Sequence, residues 1–147
     1  MNLEEKTIKL PIFDDKRLDK IEDVDQMMRV VERAFVTRKA VSPSYVAQLI
    51  HYKLSHGNFK GALNTTRKIT DPYFRLDQQL RVYEFWAQTH PARLKDVSGT
   101  YLELSKIYQD DLTKNIYAEL AREASEQAST KMRELRKEGR KRRLVGA

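Results

Sequence analysis

The sequence contains no cysteine among its 147 residues. That removes disulfides, thiol nucleophiles and cysteine-ligated metal together, and it suits a reducing, cytoplasmic setting. Glycine occurs five times and proline four times, too seldom for an ordinary all-β chain with its many tight turns. Long hydrophobic runs are missing too: stretches such as "VVERAFV" (residues 30–36) are interrupted by charge, so no membrane span is expected. The N-terminus, "MNLEEKTIKLPIF", carries Glu4 and Glu5 where a cleaved secretion signal needs positive charge, so export by that route is not expected.

Reactive signatures are equally scarce. No phosphate loop, nucleophile elbow or zinc spacing is present. The three histidines are His51, His56 and His90. His51 and His56 stand five apart, so they do not share a helix face as an i, i+4 metal pair would. The acid pairs Asp14-Asp15 and Asp110-Asp111 sit where helices are expected to start, and capping with the helix dipole accounts for them. The expectation is a chain with no catalytic residue, no metal and no cofactor: not an enzyme.

What the sequence does have is 40% hydrophobic and 33% charged residues, a balance that fits a soluble helical protein. Its net charge of +7 is concentrated at one end. Residues 131–143, "KMRELRKEGRKRR", hold eight Lys or Arg against two Glu, a net +6. The rest of the chain has twenty basic and nineteen acidic residues and is nearly neutral. Electrostatic recognition therefore belongs to one segment.

Along the chain, residues 1–13 read as an extended arm, 14–130 as a helical domain and 131–147 as a basic tail. A first helix, capped by Asp14 or Asp15, places Leu18, Ile21, Val24, Met28, Val31 and Phe35 on one side at alternating three and four spacing. Ser42-Pro43, Asp71-Pro72 and "THP" (residues 89–91) are repeated start signals, a capping residue followed by proline at the first helical position. Gly57 supplies the positive φ at which helices end, and Asn58 can cap the next one. The fourth helix puts Tyr73, Leu76, Leu80, Tyr83 and Ala87 on one side. Later helices carry Leu94, Val97, Tyr101, Leu104 and Tyr108, then Leu112, Ile116 and Leu120, fading to Ala121, Ala124 and Ala128. The last helix should run from about residue 111 to 138, with its second half projecting and Gly139 loosening the end. The reading is all-α, about six helices in antiparallel hairpins.

The segment "HGNFKGAL" resembles the turn of a tetratricopeptide-type helical repeat. There a Gly, an Asp or Asn, an aromatic and, three residues on, an Ala join the two helices of a hairpin. Here those positions are Gly57, Asn58, Phe59 and Ala62, and Tyr52 and Trp86 are offset by the ~34-residue period of such repeats. The resemblance covers one hairpin and implies protein–protein scaffolding.

Two surfaces are candidates for recognition. Phe74, Phe85 and Trp86, with His51, either meet a protein partner or are covered by neighbouring helices on two sides. Lys131, Arg133, Arg136, Lys137, Arg140, Lys141, Arg142 and Arg143 would surround a helix axis, as in an arm for nucleic acid or another polyanion, or in a solvated terminus. No aromatic is interleaved among them, so base stacking is not expected. A non-catalytic adaptor, a subunit of a larger assembly, is the first function expected. A nucleic-acid-binding protein using the tail is the alternative.

Overall fold

The computed structural model describes residues 23–145. Among them the chain is all-α, with no strand. The helices are α1 (Val24–Val36), α2 (Pro43–Ser55), α3 (Phe59–Arg67), α4 (Pro72–Ala87), α5 (Leu94–Ile107) and α6 (Asp111–Val145). A 3-10 turn, Pro91–Arg93, leads into α5. The arm expected over residues 1–13, the caps at Asp14 or Asp15, and the helical positions Leu18 and Ile21 lie outside the described residues. The chain divides at Gly57 into two compact units.

Capping sets most helix starts. Backbone N–H groups donate to side-chain oxygens: Asp25 to Asp23 at 2.9 Å, Gly61 to Asn58 at 3.0 Å, Tyr73 to Asp71 at 3.1 Å and Thr113 to Asp110 at 2.8 Å. Each bond occupies a donor that the first helical turn leaves without an internal partner. Ser42 departs from this pattern, since its hydroxyl makes no capping bond and Pro43 alone opens α2. Gly57 has φ +72° and ends that helix region, in the left-handed conformation that glycine adopts without a Cβ penalty.

In the first unit α1 and α2 pack antiparallel. Met28, Val31 and Ala34 of α1 meet Leu49 of α2, with Met27, Val30, Tyr45 and Tyr52 around them. Val24, expected on the buried side, is 57% exposed; the stripe begins one turn later. Lys53 pairs with Glu32, and the Tyr52 hydroxyl donates to Asp25.

In the second unit each helix from α3 to α6 packs on the next. The buried face of α4 differs from the expected stripe: Leu76, Gln78, Val82 and Trp86 are covered, while Tyr73 is exposed and Leu80 and Tyr83 only half-buried. The reason is that α3 and α5 both lie against α4, so a broad arc is buried instead of one seam. Buried hydroxyls turn back on their own helices, Thr66 donating to the Leu63 carbonyl at 2.6 Å and Thr100 to that of Asp96 at 2.8 Å.

Helix α6 has 35 residues, about 52 Å of helix at ~1.5 Å per residue. Ala121, Ala124 and Ala128 are its buried residues, spaced three and four apart on one face. Their small side chains let α5 come close enough for the Ser98 hydroxyl to donate to the Ala121 carbonyl at 2.7 Å. Two expectations are corrected here. Leu112 and Ile116, placed on the buried side by their spacing, are 74% and 50% exposed, because Tyr117 is the residue of that turn that packs against α5. And Gly139 does not release the end: α6 stays helical through it to Val145, one glycine costing only ~1 kcal/mol among strong helix formers.

Candidate interaction surfaces

Phe59 opens α3 and Trp86 lies in the last turn of α4, which brings their rings together at 5.3 Å, 11° from parallel. Tyr83 lies 6.5 Å from Trp86, nearly parallel, and His90 meets Phe59 and Trp86 edge-on at 6.1 and 6.3 Å. The guanidinium of Arg93 sits 3.8 Å over the indole and is held from the other side by Asp96 at 3.2 Å. The negative face of the indole attracts that cation. Phe85, the neighbour of Trp86 in sequence, also reaches Phe59, at 6.3 Å. Of the residues singled out for a partner, Trp86 is therefore enclosed at 7% exposure, Phe74 and Phe85 are half-buried, and His51 is exposed on α2 in the other unit.

A second cluster went unread in the sequence. Tyr73 of α4, Tyr108 after α5 and Tyr117 of α6 form a chain of rings at 5.1 and 5.2 Å, extended by Tyr101 at 6.2 Å from Tyr117. The Tyr73 hydroxyl donates to the Ile107 carbonyl at 3.1 Å and the Tyr101 hydroxyl to Glu84 at 3.1 Å. Burial, then the Glu84 carboxylate, pushes Tyr101 up to about 12. Burial and the neighbouring Tyr117 also raise Tyr108. Tyr101 and Tyr108 keep their protons at neutral pH, so both act there by packing and hydrogen bonding. The available signal was the abundance of tyrosine, seven residues, four of which converge where α5 turns into α6.

The C-terminal part of α6 is the most distinctive surface. All eight cations from Lys131 to Arg143 are exposed on one continuous helix. At ~100° per residue they encircle the axis. Just before them Arg122 bonds Glu126 at 2.6 Å and also Glu119, an i, i+3 and i, i+4 brace across two turns. Where α5 begins, Leu94 and the α6 residues Glu123, Glu126, Gln127, Thr130, Lys131 and Glu134 line a shallow groove. On this stretch and past it the helix carries Met132, half-buried, Leu135, 39% exposed, and Gly139. These continue the face of Ala121, Ala124 and Ala128 by steps of four, three and four.

Among the described residues no group of three His, Asp or Glu side chains is placed to hold a metal ion, and no helix is long and apolar enough to cross a membrane. Comparison with known proteins returns no match, whether to a protein family, a curated protein or a solved structure.

Proposed function

We propose that the chain is a non-catalytic helical adaptor that holds a protein partner as a cytoplasmic subunit of a larger assembly, with Gly57, Asn58, Phe59 and Ala62 forming a tetratricopeptide-like turn. The observation that carries this reading is α6, which runs on as helix for about 11 residues, ~16 Å, past the groove where α5 ends its cover. A helix held at its root and bare at its end is a preformed docking element, since the ordering cost of the bound shape is already met in the free protein. Light scattering on the purified full chain, with mass identification of what co-purifies from its native source, tests it. A stoichiometric protein partner is expected. A lone monomer that retains nothing refutes the reading.

A second reading, binding of nucleic acid through α6, is favoured by the eight exposed cations. Lys and Arg that neutralise phosphates release counterions, so such binding falls steeply with salt. Truncation after Thr130 removes it in this reading while the body stays folded; equal binding by both proteins would end it.

A further inference from the structure

Met132, Leu135 and Gly139 prolong the seam that α5 occupies along Ala121, Ala124 and Ala128, and on this stretch the seam runs between cations. Taking the seam as the centre, ~100° steps place Lys131 and Arg142 along one border and Arg136 and Arg143 along the other, each within about 80° of it. Arg133, Lys137, Arg140 and Lys141 lie behind. A duplex or a polyanionic chain needs only charge, and it gains nothing from an apolar strip between the charged borders. An apolar strip with a cation on either side matches a helix whose own apolar face is bordered by acids.

We propose that the seam Met132–Leu135–Gly139 docks an acidic amphipathic helix of a partner protein, lying along α6 where α5 leaves off. The proposal rests on the adaptor reading and names its partner's chemistry. Gly139 lets the incoming backbone approach, Met132 and Leu135 pack against its apolar side chains, and the four bordering cations meet its carboxylates, Lys131 giving up its 3.9 Å pair with Glu134. The α5–α6 contact is the precedent within this unit: the same face of the same helix already accepts one antiparallel helix over its small residues.

The test uses the full chain and two labelled synthetic peptides of identical composition, read by fluorescence anisotropy. One peptide carries leucines on a single helical face between glutamates; the other has the same residues scrambled. Burying Leu135 and Met132 against the ordered face predicts binding about tenfold or more tighter than to the scrambled peptide. Leu135→Asp should lower it by about tenfold or more, and Met132→Asp similarly. Leu144→Asp, nine residues on and so about 180° away, makes the same charge change on the opposite side and should alter binding by less than about twofold. Equal affinity for the two peptides overturns the proposal, as does an equal loss in the Leu135 and Leu144 variants. Tighter binding of a duplex oligonucleotide than of the ordered peptide also overturns it, in favour of the second reading. If the native partner is recovered equally with wild type and Leu135→Asp, this proposal falls while the adaptor reading stands; loss with Leu135→Asp alone supports both.

Discussion

Two glycine-to-alanine substitutions should have opposite signs, and the structure gives the reason for each. At both Gly57 and Gly99 an added Cβ would meet no atom within 4 Å, so packing contributes to neither and only the backbone decides. Gly99 lies inside α5 with helical neighbours on both sides. Alanine there loses less chain entropy on folding and should stabilise by about 0.5–1 kcal/mol. Gly57 has φ +72°, where a Cβ crowds the following carbonyl at a cost of ~1–2 kcal/mol. Alanine also narrows the unfolded ensemble, which returns ~0.4–1 kcal/mol, leaving a net loss of about 1 kcal/mol. Urea unfolding followed by circular dichroism measures both. With a slope of ~2 kcal/mol per molar urea, the midpoint should rise by about 0.4 M for Gly99→Ala and fall by about 0.5 M for Gly57→Ala. Shifts of the same sign would refute the reasoning, and a stabilised Gly57→Ala would remove the left-handed turn from the structure's account of α2.

Tyr101 carries a pH signature: the folded protein keeps its phenol proton up to about 12, whereas an unfolded tyrosine loses it near ~10. The folded state thus binds more protons between those values and loses stability as pH rises through them; Tyr101→Phe should flatten that decline in thermal unfolding curves, and unchanged slopes would contradict the burial and the Glu84 bond. For polyanion binding, cations on all sides of a straight helix can meet a flat duplex only about four at a time, so log affinity against log salt should have a slope near −3.6, about 0.9 per contact. A slope near −7, all eight engaged, would mean that the segment wraps the duplex as a pliable strand and that the helix through Gly139 is not kept.

The parts of the fold that could be read in the sequence are those governed by local chemistry. Asn58, Asp71-Pro72 and Asp110 mark starts because capping needs only residues within one turn, Ser42-Pro43 because proline presets the first helical position, and the observed helices begin there. The parts that could not be read depend on how many neighbours a helix has. Leu112 and Ile116 have a good apolar spacing, but which side of α6 is buried is decided by the residue that fits under α5, and alanines fit closer than leucine and isoleucine. The tyrosine cluster joins residues up to 44 positions apart, Tyr73 to Tyr117, a convergence that no short window contains. Trp86 was legible as aromatic surface or core alike, and the decision came from Phe59 stacking on its ring and Arg93 lying over it.

The same contacts explain how the end of α6 stays helical beyond the body of its unit. At the root, Tyr117 is held by Tyr101 and Tyr108, and Tyr108 in turn by Tyr73. Midway, the alanine face fixes the depth at which α5 sits, and Arg122 ties two turns together through Glu119 and Glu126. Each exposed ion pair contributes little, yet they act on a helix whose nucleation has already been met by tertiary packing, so continuation costs only the propensity of each added residue. Arg, Lys, Glu, Leu and Met dominate residues 131–145 and have small propensity costs. An isolated peptide of that sequence would be short for a stable helix in water. Joined to α6 it is the extension of one already formed, and its seam and its charges are therefore presented in fixed register.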